Sequence, residues 1–245
     1  MKVSVLTIGT EITTGEILNT NVQWISERLE ALGLDVVHHL TVADHWEVMK
    51  GALDYLSSSE VLVVTGGLGP TQDDLTRELV ADWVGSELEF SNAAYRDLAE
   101  KLQSRGRVPM ESHKKQCYFP KQAQVLNNSV GTAHGFSIHK GRNQIFVLPG
   151  PPRELKPMWT DHVEPLLPKG ELTPWVKWIF RGLPESEVAD RFERVLAQFI
   201  DPKKIEIGYR ASPPHIHVKV RKRNVPEGLI EKVAEEFVSV IVDRV

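Results

Sequence analysis

Residues 61–64 read Val-Leu-Val-Val and run directly into Thr65-Gly66-Gly67-Leu68-Gly69-Pro70. A strand without polar alternation has no face to give to water. It must be covered on both sides, as the strands of a parallel sheet are. The same order of strand then helix occurs twice upstream. Residues 3–8 predict an apolar strand ended by Gly9, and Val22, Ile25, Leu29 and Leu32 are spaced as one face of a helix with Gly33 at its C-terminal cap. Residues 35–42 predict a second strand, and residues 47–57 a second helix burying Val48, Ala52 and Leu56. A third helix is expected over residues 73–83. Parallel neighbours need a crossover element, so these alternations specify an α/β fold with a doubly wound, mostly parallel sheet.

Downstream, Ser91 is placed to cap a helix over residues 92–103, and residues 105–120 read as polar and irregular. Val125 and Leu126 resume strand character, residues 145–148 form a last strand running into Pro149-Gly150-Pro151-Pro152, and residues 153–162 look helical. Residues 165–174 contain Pro165, Pro168, Gly170 and Pro174, the composition of a linker. They divide an α/β domain, 1–168, from a small α+β domain, 175–245. In the latter, strands are expected at 176–180, 205–209 and 216–220, with helices at 186–199 and 229–242.

Hydrophobic residues make up 41%, charged residues 25%, and the formal net charge is −4. That composition belongs to a soluble globular chain and gives no global footprint for nucleic acid or an anionic membrane. The lone Cys117 cannot form an intrachain disulfide, and the apolar stretch before Gly9 is too short for a secretory or spanning segment. A cytoplasmic location is expected.

In open parallel sheets ligands sit beyond the carboxyl ends of the strands. Three such ends are unusual here: Gly9-Thr10-Glu11 with Asn19-Thr20-Asn21, the stretch from Thr65 to Thr76, and Leu148 to Glu154. Gly66, Gly67 and Gly69 let backbone N–H groups cradle a phosphate, although a tight turn that merely needs glycine explains them as well. Asp73 and Asp74 follow. Beside a phosphate they would repel it unless a divalent ion lies between, while helix capping is the plainer account. Asn19 or Thr20 serves equally as a helix cap, and Asp44 either joins the acids or caps the second helix. Glu11 can meet a metal, a ribose hydroxyl or a pterin ring.

These segments carry a family resemblance. Gly-Thr-Glu-Ile with Gly-Glu-Ile-Leu-Asn-Thr-Asn, Thr-Gly-Gly-Leu-Gly-Pro-Thr-Gln-Asp-Asp-Leu-Thr, and Leu-Pro-Gly-Pro-Pro-Arg-Glu-Leu-Lys-Pro-Met resemble the CinA (competence/damage-inducible) family over about residues 1–170. Gly131-Thr132-Ala133 and Gly135 resemble a further family stretch, and Gly182-Leu-Pro-Glu-Ser186 varies the usual Gly-Ile-Gly-Glu-Ser. The first domain of that family is similar to the molybdopterin-binding domain of molybdenum-cofactor biosynthesis proteins. Asp74 matches the aspartate of their Arg-Asp-Val-Thr motif, and Asp73 stands where they have the arginine. The resemblance implies metal-dependent hydrolysis of ADP-ribose to AMP and ribose 5-phosphate. Its alternatives are molybdopterin binding or adenylylation, and a non-catalytic assembly domain. It also implies a homo-oligomer, with a dimer favoured. The nicotinamide-nucleotide deamidase domain found in longer relatives is not expected in a sequence that ends at Val245.

On this reading Asp74, Asp73 and Glu11 are the catalytic candidates, with Asp74 and Asp44 as metal ligands. Gly66, Gly67, Gly69, Pro70, Thr71, Asn19, Thr20, Asn21, Gly150 and Pro151 bind a nucleotide or pterin substrate. The expected cofactor is Mg²⁺, Mn²⁺ or Co²⁺, with a monovalent ion as a second candidate. His38 and His39 fall on opposite faces of a strand and cannot share an ion. His215, His217, Lys219 and Arg221 alternate with Ile216, Val218 and Val220, which reads as a solvated strand face over a packed one. A basic strip meeting an anion or partner subunit, with Arg210, is the other reading. No Gly-x-x-Gly clamp supports RNA binding there.

Overall fold

The computed structural model describes residues 1–170, 175–199 and 205–222 and positions 232 and 235. The chain divides into two compact units, Met1–Gly170 and Glu171–Val245.

The first unit comprises β1 (Lys2–Ile8), α1 (Thr10–Thr13), α2 (Thr20–Ala31), β2 (Asp35–Val42), α3 (Trp46–Tyr55), β3 (Val61–Thr65), α4 (Thr76–Val84), β4 (Leu88–Phe90), α5 (Asn92–Ser104), β5 (Tyr118–Pro120), β6 (Gln124–Leu126), β7 (Gly135–Lys140), β8 (Asn143–Leu148) and α6 (Pro152–Met158). Its main sheet has the order β2-β1-β3-β8-β7-β6. The first four strands in that order are mutually parallel, and β7 and β6 are added antiparallel. All five residues of β3 are buried. Leu62 and Val64 enter one core with Met49 of α3, Leu79 of α4 and Leu98 of α5. Val61 and Val63 enter the other with Ile25 and Leu29 of α2 and Leu155 of α6. The unbroken apolar run is thus the record of a strand covered on both faces, each such side chain contributing ~1.5–3 kcal/mol.

Several elements depart from expectation. Ala52 and Leu56 are buried as expected, but Val48 is 49% exposed, and Met49 and Leu53 turn inward beside them. The third helix starts at Thr76, so Asp73 and Asp74 lie in the preceding turn and cap nothing. Strand β7 was not anticipated. It pairs with β8 across a two-residue turn whose Gly141 has φ 58°, and Ser137 is buried within it. The expected helix over 153–162 is α-helical only to Met158. A π turn (Trp159–Val163) and a 3-10 turn (Glu164–Leu166) complete it, downstream of Pro157, which lacks the amide an α-ladder needs. Part of the predicted linker is packed. Leu167 is buried in the second core, and the Gly170 N–H donates to the Leu32 carbonyl at 2.7 Å.

The second unit contains β9 (Val176–Arg181), α7 (Glu185–Phe199), β10 (Ile205–Ser212) and β11 (His215–Lys222), with antiparallel order β10-β11-β9. Val188, Phe192, Val195 and Leu196 of α7 pack on Ile216, Val218 and Val220. Lys219 is exposed as expected, but Arg221 is buried, donating to Glu206 at 2.6 and 3.0 Å with its guanidinium 4.7 Å from the Trp175 ring centre. The helix expected over 229–242 lies outside the described residues, save positions 232 and 235. No helix among the described residues is long and apolar enough to cross a membrane.

Trp159 is fully buried, meets Trp24 edge-on at 6.2 Å, and donates from Nε1 to Glu164 at 3.0 Å. Trp159→Ala is expected to cost about 3–5 kcal/mol of unfolding free energy, read from urea denaturation of the two proteins side by side.

Candidate functional site

The carboxyl ends of β1, β3 and β8 open onto one cleft of about 490 Å³. Their closeness sets the local chemistry. Gly66, just past β3, has φ 100°, and a Cβ there would lie 2.0 Å from the carbonyl oxygen of Ile8 at the end of β1. Only glycine allows the two strand ends to pass. The Gly66 N–H is spent on the Leu148 carbonyl at 3.1 Å, which ties the turn to β8. It is therefore unavailable for the phosphate contact expected of it.

The next three residues are arranged differently. The Gly66 carbonyl accepts from the Thr76 hydroxyl at 2.8 Å, and the Gly67 carbonyl from the Thr76 N–H at 3.2 Å. The Leu68 carbonyl accepts from Arg77 Nη1 at 2.9 Å and Gln116 Nε2 at 3.3 Å. In a trans peptide the N–H points opposite to the carbonyl of the same plane. Three successive carbonyls held from behind therefore direct the N–H groups of Gly67, Leu68 and Gly69 the other way. All three residues line the cleft, and their N–H groups have no protein partner among the described residues. That is the geometry of a backbone nest, which suits an anion.

Carboxylates surround it. Glu11, Asp44, Asp73, Asp74 and Glu154 line the cleft, and among the described residues no Lys, Arg or His does. Thr71 donates its N–H to Asp74 Oδ2 at 2.9 Å and its hydroxyl to the same oxygen. The Asp74 carboxylate lies against Gly69, where a Cβ would be 2.4 Å from Oδ2. Thr71 thus positions Asp74 and its hydroxyl is not free for a phosphate, a correction to its expected role; neither it nor Pro70 lines the cleft. Hydrogen bonding from Thr71, and then from backbone, holds the Asp73 carboxyl below its ordinary value. Asp44 Oδ2 accepts from the Thr10 N–H at 2.7 Å and hydroxyl at 2.9 Å, so it caps α1 across the strand ends and leaves α3 uncapped by a side chain.

Opposite the nest, Asn19 is the N-cap of α2, accepting from the Val22 N–H at 3.2 Å, and its amide donates to Thr7 and Thr41. Asn21 donates to the Gly150 carbonyl at 2.6 Å and leaves a buried Oδ1 unpartnered. Thr20, Gly150 and Pro151 complete this side. The far wall holds Gln116, which the sequence did not single out, and Thr132, Ala133 and Glu154, which it placed in family-like or strand-end stretches without a role. Glu154 is 8% exposed and accepts from Asn128 Nδ2 at 2.8 Å, with its carboxylate filling the space a side chain at Gly131 would take. His134 anchors the same loop. Its Nδ1 accepts from the Asn128 N–H at 3.0 Å, placing the proton on Nε2, 3.0 Å from Asp97.

The acids suit a hard, oxygen-preferring ion. Only Oδ2 of Asp44 and of Asp74 is used in the bonds described, leaving the second oxygen of each. Among the described residues no group of three or more His, Cys, Asp or Glu is close enough to form a metal cage.

Residues 4–169 match the sequence profile of the family described as "Probable molybdopterin binding domain". Competence-damage inducible proteins of Caldicellulosiruptor saccharolyticus and Clostridium perfringens are 33% identical over 98% of this chain and 42% identical over 78% of it, respectively. The CinA structure from Thermoplasma acidophilum is 30% identical, with a TM-score of 0.60, over 65% of this chain and 95% of its own. The chain belongs to the CinA family. It spans 59% and 47% of those two curated relatives. The profile match includes every residue of the CinA-family cleft described above.

Two outcomes follow for this CinA-family cleft. Gly66→Ala combines a left-handed φ with a clash against the Ile8 carbonyl, and is expected to cost on the order of 2–4 kcal/mol by urea denaturation, with the cleft distorted. The second concerns pH. Desolvation, with Lys101 and Arg77 nearby, lowers the His134 pKa below 6.5 against the opposing pull of Asp97. The unfolded chain then binds the proton more readily, so this contribution is complete above pH ~6.5 and is lost progressively below it, as pH falls through the lower folded pKa. Urea midpoints between pH 7.5 and 5.5 should fall more steeply for wild type than for His134→Gln.

Proposed function

We propose that the cleft binds a nucleoside diphosphate sugar of the ADP-ribose class and hydrolyses its pyrophosphate to AMP and a sugar phosphate. One observation carries the reading: three N–H groups directed into the cleft share it with five carboxylates and, among the described residues, no cationic side chain. A diphosphate at the nest would be repelled by those acids unless a divalent ion were interposed. Asp74 and Asp73 beside the nest, with Asp44 and Glu11 across it, are the residues proposed to hold Mg²⁺, Mn²⁺ or Co²⁺. Such an ion supplies Lewis-acid polarisation of phosphate oxygens.

The chain's own groups do the remainder. The amides of Gly67, Leu68 and Gly69 orient one phosphate and stabilise charge that grows on its oxygens. Glu11 is proposed to accept a proton from the attacking water as the new P–O bond forms and the bridging P–O bond breaks. Asn21 and Thr20 face the sugar or base. A second reading, retention of a pterin phosphate in the same cleft, is favoured by the family's description over residues 4–169.

The test is release of AMP from ADP-ribose by the purified chain with each of the three metals. Asp74→Asn keeps an oxygen for Thr71 and should fold normally while losing about 10²-fold or more in kcat. Absence of turnover with every metal, or an unimpaired Asp74→Asn, would sink the hydrolase. Mass spectrometry that found a bound pterin in its place would favour the second reading.

A further inference from the structure

Arg77 carries a charge that the cleft conspicuously lacks. Its side chain is 1% exposed, and its two terminal nitrogens bridge two segments, Nη1 donating to the Leu68 carbonyl at 2.9 Å and Nη2 to the His134 carbonyl at 3.3 Å. The first belongs to the glycine turn, and the second follows Thr132 and Ala133 on the far wall of the cleft. The rest of its surroundings give it no ionic partner in contact among the described residues. Nε is buried without a partner, the Phe119 ring centre is 5.7 Å from Cζ, and no ion pair within 4.0 Å is formed by Arg77 among the described residues. Burial lowers its pKa to about 10, with Glu78 and Asp74 acting in the opposite sense, so the group stays charged at neutral pH.

A buried, unpaired guanidinium is costly, and such groups are retained where something offsets them. Two neutral carbonyls and a cation–π contact with Phe119 offset that cost only in part. An anion in the nest is strong compensation, because it would lie on the far side of the Leu68–Gly69 peptide, with low-dielectric protein and not water between the charges. We infer that Arg77 is a positioning residue for the phosphate site. It fixes the Leu68 carbonyl away from the cleft, and its buried charge raises the affinity of the nest for anions without touching them. The inference rests on the phosphate reading of the cleft proposed above.

A merely structural arginine and an electrostatic one differ in sign. Loss of structure weakens the binding of cations and anions together. Loss of a positive charge behind the turn weakens anions and strengthens, or leaves unchanged, cations at the neighbouring acids. The experiment is calorimetric titration of the full chain with inorganic pyrophosphate in saturating Mg²⁺, and separately with Mn²⁺ alone, for wild type, Arg77→Met and Arg77→Lys. Arg77→Met is expected to bind pyrophosphate about tenfold or more weaker, with Mn²⁺ affinity equal or higher, and Arg77→Lys to recover most of the pyrophosphate affinity. Unchanged pyrophosphate binding in Arg77→Met, a parallel fall for both probes, or a Lys variant as weak as the Met variant would overturn the role of Arg77 and leave the phosphate site standing. Wild type that binds no pyrophosphate would overturn the site and the inference with it.

Discussion

The carbonyl oxygens of Gly66, Gly67 and Leu68 all turn toward the first residues of α4, and the remaining geometry of the site follows from that. Thr76, fully buried, takes two of them with its hydroxyl and its N–H, and Arg77 takes the third. Peptide planarity then decides where the opposing N–H groups go. It also explains why α4 starts late. A helix begun at Asp73 would place Thr76 a full turn inside the ladder, with its N–H committed to the carbonyl four residues earlier. Starting at Thr76 frees that N–H for Gly67 and leaves residues 70–75 as a loop. The loop brings Asp73 and Asp74 to the rim of the cleft, where Thr71 fixes the second of them.

The charges are ordered in layers. Amides and carboxylates face the cleft, and the cation sits behind the turn. This differs from a lysine-bearing phosphate loop, in which the positive side chain reaches the ligand directly. A direct lysine would neutralise the acids that a divalent ion needs. A guanidinium held behind the peptide adds positive potential at the amides while the carboxylates remain available to a cation. Lys115 keeps the same discipline: its ammonium donates to the Thr71 carbonyl at 2.9 Å and lies 3.6 Å from Glu78, outside the set of residues lining the cleft.

The frame of this site was legible in the sequence because its signals are local. An apolar run of four residues required a strand covered on both faces, and the glycines after it marked a close backbone approach that Gly66 makes with the Ile8 carbonyl. The roles of individual side chains were less legible. Asp44 reads as a ligand or a cap and Thr71 as a phosphate ligand, and only their partners, Thr10 at a distance of 34 residues and Asp74 at three, show how each is used. Strand β7 escaped because Gly-Phe-Ser-Ile-His-Lys buries a serine on one face and gives a weak alternation. Gln116, and the role of Glu154 within its strand-end stretch, escaped for a different reason. Their place is set by Asn128 and Leu68, 26 and 48 residues away, and periodicity carries no information about contacts of that range.

Buried polar atoms without partners show where the fold has given up stability. Asn21 Oδ1, Thr65 Oγ1, Arg77 Nε and Glu78 Oε2 are each in that condition. Asn21 and Thr65 line the cleft, and Arg77 and Glu78 stand on α4 directly behind the glycine turn. Each such group costs roughly 1–3 kcal/mol. In the same unit, polar groups at the opposite end of the sheet are satisfied: Ser4 bonds Ser59 at 2.7 Å, and Asn143 bonds the Ser57 and Ser59 carbonyls. The unpartnered atoms thus gather at the end of the sheet that carries the cleft. The incomplete hydrogen bonding converges on the place where strand ends, anion nest and carboxylates meet, as local rules are expected to fail where a site binds and not merely where a chain packs.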